Sequence, residues 1–150
     1  VMANLAQAVN VLQSVIFTEG EKMIKTPTYH VFDLFKTHQN NEAVYCYTQN
    51  ENMSEGENTP MISVSASVNE KCMTVTIANC SLTEKVAVEC SIFGFKASAA
   101  ACRILTNEVH NYNDFDHPDR VDISGYTAVI NDNVLRLNIP PCAVIECIID

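Results

Sequence analysis

A chain of 150 residues with 47% hydrophobic and 18% charged residues has the composition of one ordinary globular protein and not of a disordered one. Its formal net charge of -9 argues against binding to nucleic acids or to anionic membranes, because both would repel an acidic protein. Four Asn and Gln residues interrupt the N-terminal apolar stretch, which therefore predicts neither a signal peptide nor a membrane span.

The first 39 residues carry the pattern of a helix, a strand, a loop and a second helix. Residues 3–13 place apolar side chains at helical spacing, and Ser14–Phe17 is a short apolar run that predicts a buried strand ending in a polar loop. The second helix is expected to begin near Pro27, with Thr26 or Thr28 as its N-cap. This order is typical of one unit of an α/β barrel.

The hydrophobic period changes from 3.6 to 2 beyond a polar stretch, residues 40–58, that is predicted to be a linker with one short strand at Val44–Tyr47. Apolar and polar residues then alternate in five segments: Ile62–Val68, Met73–Ile77, Val86–Ile92, Val134–Ile139 and Val144–Ile148. Residues 107–126 are expected to form a long irregular connection. The pattern predicts a mainly β fold, an antiparallel β-sandwich.

The seven cysteines are odd in number and contain no CxxC pair. Most of them lie in apolar, strand-like runs, where a free cysteine behaves as a small hydrophobic residue. The spacing therefore favours free thiols in a reducing compartment, and it favours neither a disulfide framework nor a zinc site.

Several segments resemble family 51 α-L-arabinofuranosidases. The end of that family's catalytic barrel is resembled by ANLAQAVNVLQ at residues 3–13, TEGEKM at residues 18–23 and TPTYHVF at residues 26–32. Its C-terminal sandwich is resembled by CRILT at residues 102–106 and by LRL at residues 135–137. The match runs in order over nearly the whole chain, which makes it more specific than any short motif.

The resemblance implies that residues 1–40 are the remnant of a (β/α)8 barrel and residues 41–150 a jelly-roll-like β-sandwich. It also implies that a full-length parent removes terminal α-L-arabinofuranosyl groups from arabinan and arabinoxylan with retention, which needs two carboxyl groups about 5 Å apart. In the family this pair precedes residue 1, so the chain is expected to hold no catalytic residue and to be inactive alone. A cytoplasmic homo-oligomer without a cofactor is the further expectation.

Gln13 is the one residue to which the resemblance assigns substrate binding, because the family has a glutamine in its Asn-Val-Leu-Gln segment that bonds the arabinose. A side-chain amide both donates and accepts hydrogen bonds, which suits vicinal sugar hydroxyls. The alternative is a solvent-facing glutamine at a helix end. Asn10 is either its neighbour in the site or an exposed polar residue.

The other polar candidates are interpreted as structural. Glu19 and Glu21 lie beside a glycine in a turn and are expected to be solvated, not catalytic. His30 and His38 are separated by about two helical turns and cannot easily share a metal ion. His110 and His117 fall in a polar loop without ligand partners at metal spacing.

The alternative function is a non-catalytic sugar-binding or oligomerisation module. Sugar-binding sandwiches usually present planar aromatic side chains, since the apolar face of a sugar packs on an exposed ring. The chain has no tryptophan, and Tyr112 and Phe115 in the long connection are the only plausible platform.

Overall fold

The chain folds as a two-sheet β-sandwich with a hairpin and a helix packed against its outside, as a computed structural model describes for residues 5, 7–12, 14–53 and 59–150. The elements in chain order are β1 (Ile16–Glu19), β2 (Lys22–Lys25), α1 (Pro27–Phe35), a 3-10 turn (Lys36–His38), β3 (Glu42–Val44), β4 (Ile62–Val68), β5 (Met73–Asn79), β6 (Val86–Ser91), β7 (Ala100–Thr106), β8 (Ile123–Tyr126), β9 (Val129–Asn131), β10 (Val134–Ile139) and β11 (Ala143–Ile149).

Two antiparallel sheets enclose one apolar core. The larger sheet has the strand order β3-β4-β5-β11-β7-β8 and the smaller one the order β6-β10-β9. Leu135 and Ile139 of the smaller sheet and Ile77 and Ile145 of the larger one are almost fully buried in the same cluster. The predicted sandwich is therefore confirmed, and the alternating segments supply its inner faces.

Strands β5 and β11 lie in the middle of the larger sheet and are buried on both faces. Their inward residues are apolar, whereas the outward residues Thr74, Thr76 and Glu146 are polar and at most 1% exposed. Alternation of this kind predicts that the polar face is solvated. It is covered here because α1 and the 3-10 turn pack across it.

Helix α1 begins where the sequence predicts, since Thr26 is its N-cap and Pro27 lies in its first turn. The Thr26 hydroxyl accepts a bond from the Tyr29 amide, which satisfies one free donor of the helix end. Leu34 is fully buried against Leu105 and Val121, so a small second apolar cluster fixes the helix to the outer face of the larger sheet. Among the described residues, no helix is both long and apolar enough to cross a membrane.

The N-terminal prediction is wrong in two respects. Residues 5 and 7–12, the described part of the predicted first helix, are not helical, and Asn10 has a φ of 53°. The expected single buried strand is instead a partly exposed hairpin of β1 and β2. Gly20 starts its two-residue turn with a φ of 58°, a conformation that glycine adopts without steric cost.

The remaining differences concern short or weakly patterned strands. The strand predicted at Val44–Tyr47 is found at Glu42–Val44, where it pairs with β4. Strands β7, β8 and β9 were not among the alternating segments, because β7 mixes small, charged and apolar residues and because β8 and β9 are only four and three residues long. Residues 107–122 are irregular as expected, but the predicted connection ends four residues too late because residues 123–126 form β8.

Cys102 and Cys147 form a disulfide between β7 and β11, which corrects the expectation of free thiols for this pair. The two residues face each other directly in the strand register, with a Cα–Cα distance of 4.2 Å. They are separated by 45 positions in the chain, so spacing in the sequence gives no sign that they meet. The other five cysteines are free.

Candidate functional site

A row of polar side chains crosses the outer face of the larger sheet beneath α1. Thr76, Glu146 and Arg103 are consecutive cross-strand neighbours in the register of β5, β11 and β7. Side chains at such positions point to the same face and touch. The strands thus present a hydroxyl, a carboxylate and a guanidinium side by side to the helix.

Arg103 and Glu146 form the centre of this row. Arg103 Nε lies 2.7 Å and Nη2 2.6 Å from Glu146 Oε2. Thr37 Oγ1 donates to the other carboxylate oxygen, Oε1, at 2.6 Å. Glu146 is completely buried, and a buried carboxylate is tolerated only when it is paired and hydrogen-bonded in this way.

Asp33 of α1 ties the helix to the same guanidinium. Its Oδ2 accepts a bond from Arg103 Nη1 at 2.9 Å, and its Oδ1 is bound by Lys36. Lys36 chiefly, and then Arg103, lower the pKa of Asp33 below its ordinary value. Burial opposes the charge on Arg103, but Glu146 and Asp33 outweigh burial and raise the pKa of Arg103.

His38 connects the 3-10 turn to β4 and β5. Its Nδ1 lies 2.7 Å from Ser67 Oγ, and its Nε2 lies 2.7 Å from Thr76 Oγ1. A neutral imidazole has one donor and one acceptor, which two hydroxyl groups can satisfy together. Desolvation lowers the pKa of His38, and the charge of Glu146 opposes this only in part. The two bonds and the lowered pKa favour a neutral, structural histidine.

The connection between β7 and β8 (residues 107–122, hereafter the β7–β8 loop) contacts the N-terminal end of α1. Asn113, which is 5% exposed, donates to Lys25 O and to Val121 O, both at 2.9 Å. Asp122 lies 3.4 Å from the buried His30. Desolvation lowers the pKa of His30, and Asp122 opposes the shift.

The base of the hairpin is closed by Thr26, the N-cap of α1. Its hydroxyl donates to Ser14 O at 2.8 Å, and its amide donates to Val15 O at 3.1 Å. Asn10 donates a hydrogen bond from Nδ2 to Thr18 Oγ1 and accepts one from the Thr18 backbone amide at Oδ1. It therefore stabilises the hairpin and does not lie on the exposed face of a helix. Gln13 lies outside the described residues, and its role in substrate binding stays a prediction.

The other sequence candidates are not brought together. Glu19 and Glu21 are exposed at the hairpin tip. His30 and His38 bind different partners, and His117 pairs with Asp114. No group of three or more His, Cys, Asp or Glu side chains in the described part of the chain is arranged to hold a metal ion.

The residues that the sequence interpretation missed are Arg103, Glu146, Asp33 and Thr37. A signal was present for the first two, because each is the only charged residue of an otherwise uncharged strand. A lone acid and a lone base in central strands predict a buried ion pair. Nothing in the sequence shows that the helix adds Asp33 and Thr37 to it.

Comparison with known proteins decides the family. Residues 1–143 match the model described as the alpha-L-arabinofuranosidase C-terminal domain. The chain belongs to this family. An intracellular exo-alpha-L-arabinofuranosidase of Bacteroides ovatus is 34% identical over an alignment of 149 positions that covers 96% of this chain and 29% of that relative.

Solved arabinofuranosidases share the whole fold. The GH51 arabinofuranosidase from Xanthomonas axonopodis pv. citri matches with a TM-score of 0.93 and 28% identity over 99% of this chain and 31% of its own. The Thermotoga maritima enzyme, solved as an arabinose complex, matches with a TM-score of 0.86 and 26% identity over 98% of this chain and 33% of its own. The chain thus spans about one third of the length of these relatives.

Proposed function

We propose that this chain is the C-terminal part of a retaining α-L-arabinofuranosidase that releases terminal α-L-arabinofuranosyl groups from arabinan, arabinoxylan and their oligosaccharides. The observation that carries the proposal is the match with the Xanthomonas enzyme, a TM-score of 0.93 over 99% of this chain. We assign residues 1–40 to the last unit of the catalytic barrel and residues 41–150 to the sandwich that supports it.

Exposed apolar side chains in the N-terminal segment support the proposal that another part of the parent packs against it. Leu12 is 97% exposed, and Val9, Met23 and Phe32 are each about half exposed. Large apolar side chains in such number within a short segment are unusual on the surface of a monomer. The rest of a barrel would cover them.

The carboxylates beside α1 support a division of labour between the two parts of the parent. Retaining hydrolysis needs one carboxyl group free to protonate the leaving oxygen and another free to attack the sugar. Glu146 and Asp33 are both held by Arg103, and Glu146 is inaccessible to a sugar. We therefore assign both catalytic carboxyl groups to the barrel strands that precede residue 1.

Gln13 is our candidate for the contribution of this chain to sugar binding. It directly precedes Ser14, whose carbonyl is held by the N-cap Thr26 at the base of the hairpin. A barrel builds its active site from the segments that join each strand to the following helix. The segment between Gln13 and α1 is such a segment in the proposed barrel.

The test is an assay of the full-length parent on 4-nitrophenyl α-L-arabinofuranoside and on arabinan. We expect release of arabinose, with the α-anomer appearing first in a proton NMR time course because the configuration is retained. Replacement of Gln13 by Ala lowers kcat/KM by about tenfold or more, as expected for a lost hydrogen bond to the sugar. Absence of arabinose release, or release of the β-anomer first, would contradict the proposal.

The parent's location and assembly are part of the same proposal. The Bacteroides relative is described as intracellular, which supports a cytoplasmic enzyme, although a disulfide such as Cys102–Cys147 is uncommon in that compartment. Exposed apolar side chains that the rest of the barrel does not cover are available for contacts between subunits, and we propose a homo-oligomer. Light scattering of the purified parent tests this, and a mass equal to one subunit would contradict it.

A further inference from the structure

The β7–β8 loop of the sandwich contacts the segment before α1. Its contact with Lys25 is made by Asn113, whose side-chain amide also accepts a bond from the Val121 amide at 2.7 Å. Asn113 therefore bonds both to a later position of its own loop and to the strand that precedes α1. Because Asn113 is buried, these bonds are shielded from water and fix the loop firmly.

Two further contacts hold the end of this loop against α1. Val121 packs on Leu34, and Asp122 lies 3.4 Å from His30 in the first turn of the helix. The loop is thus attached by Asn113 to the residue just before the N-cap of α1 and by Asp122 to the first turn of the helix, while Val121 packs on Leu34 near the other end of the helix. Its position relative to the helix is defined by the fold.

The N-terminal end of a barrel helix marks the catalytic face of the barrel. Strand-to-helix segments form that face, and each of them ends where its helix begins. If α1 is the last barrel helix, as we propose above, the β7–β8 loop of the sandwich lies at the rim of this face. The loop then borders the groove through which a polymeric substrate enters.

We infer that the β7–β8 loop forms one wall of the substrate groove and that Tyr112 packs on a sugar ring of the polymer next to the arabinose that is removed. The inference rests on the proposed function. Tyr112 is 61% exposed and directly precedes the buried Asn113, so its backbone is fixed while its ring remains accessible. An accessible ring on a fixed backbone loses little conformational entropy on binding.

The loop offers a second chemical feature that suits a neutral sugar polymer. Asp114, Asp116 and Asp119 follow Tyr112 within seven residues, and the last two are exposed. Carboxylates accept hydrogen bonds from sugar hydroxyls, whereas they would repel an acidic polysaccharide. The favoured occupant is therefore an uncharged arabinan or arabinoxylan chain.

The experiment compares a polymeric and a small substrate in the full-length parent that carries Tyr112→Ala. We expect kcat/KM for linear arabinan to fall about fivefold, the effect of one lost stacking contact, while kcat/KM for 4-nitrophenyl α-L-arabinofuranoside stays within about twofold of the unsubstituted enzyme. Tyr112→Phe keeps the ring and should retain most of the activity on arabinan. The melting temperature of each variant is measured in parallel, because a structural role would lower it and would affect both substrates alike.

Tyr45→Ala is the matched control. Tyr45 is 87% exposed and follows β3, at the edge of the larger sheet opposite to the β7–β8 loop. It should change neither rate. An equal loss on both substrates in Tyr112→Ala, no loss on arabinan, or the same loss in Tyr45→Ala would overturn the inference. If the unsubstituted parent cleaves neither substrate, the proposed function itself has failed.

Discussion

The contacts inside the sandwich differ in kind from those that attach the N-terminal elements β1, β2 and α1 to it. Inside the sandwich, side chains such as Leu135 and Ile145 from both sheets form one apolar core. Between α1 and the larger sheet, by contrast, a small apolar cluster around Leu34 lies beside the ionic contacts of Arg103. Apolar burial contributes free energy in proportion to area and is not directional, whereas buried ion pairs fix orientation. The contrast suggests that the sandwich supplies the stability and the polar row sets the angle of the helix.

The largest effect is expected from a cavity in the sandwich core. Ile145→Ala removes a fully buried side chain of the central strand β11 and should lower the free energy of unfolding by about 4 kcal/mol. Urea denaturation followed by circular dichroism measures this. Leu82→Ala is the control, because Leu82 is 60% exposed and its truncation should cost less than about 0.5 kcal/mol. Similar losses in the two variants would mean that β11 is not the centre of the core.

Reduction of the Cys102–Cys147 disulfide should have the next largest effect. The bridge closes a loop between positions 45 residues apart, and its removal should cost about 3 kcal/mol, largely by freeing the unfolded chain. Denaturation with and without a phosphine reductant tests this. Alkylation of the unfolded chain followed by mass spectrometry should label five cysteines before reduction and seven after it. Labelling of all seven before reduction would show that the pair is a dithiol.

Breaking the polar row should cost less than either change in the sandwich. Arg103→Met leaves Glu146 buried without its counter-ion, and we expect a loss of about 2 kcal/mol, since Arg103 is partly exposed and its ion pairs are partly screened. Glu146→Gln in the same background should recover part of the loss, because it removes the unpaired charge. The matched control is Arg136→Met, whose ion pair with Glu89 is exposed and should be worth less than about 0.5 kcal/mol.

The same variant shows which region the row controls. If the row orients the helix, limited proteolysis of Arg103→Met should cut residues 14–38 faster and leave the sandwich intact. Uniform cleavage along the chain would contradict the distinction between the two regions.

The smallest expected effect is a dependence of stability on pH that belongs to the α1 side of the molecule. Burial lowers the pKa of His30 and of His38 below the ordinary 6.5, against the opposing charges of Asp122 and Glu146. Just below 6.5 the unfolded chain therefore binds more protons than the folded chain. The free energy of unfolding should fall as the pH decreases from 6.5 toward the lowered pKa values and then level off.

Urea midpoints between about pH 7.5 and about pH 5.5 test this dependence, over the range where histidines usually titrate. His38→Gln should flatten the curve. A midpoint that rises as the pH falls would contradict the buried, neutral state of the two histidines.

Whether a feature could be predicted from the sequence depends on how far apart along the chain its residues lie. The N-cap Thr26 and the alternating strand Ile62–Val68 are local features, and both were found where the pattern placed them. The bridge between Cys102 and Cys147 and the meeting of Asp33 with Arg103 depend on which strands are neighbours. No local pattern contains that information.

The error at residues 5 and 7–12, the described part of the predicted first helix, has a similar cause. Apolar side chains at helical spacing there satisfy the helix pattern, but the chain turns at Asn10, whose amide group is taken up by Thr18 of the hairpin. A tertiary contact thus replaces the local preference. The resemblance named Gln13, whose role in substrate binding stays a prediction, while the polar row under α1 became visible only in the folded chain.

One measurement bears most directly on the division of labour between this chain and its parent. The purified 150-residue chain and the full-length parent are incubated at equal concentration with 4-nitrophenyl α-L-arabinofuranoside, and nitrophenolate release is followed by absorbance. We expect hydrolysis by the parent and, from the chain alone, no more release than in buffer. Glu146 and Asp33 are both held by Arg103, and the catalytic carboxyl groups are assigned to the part of the parent that precedes residue 1. Turnover by the 150-residue chain on its own would contradict it.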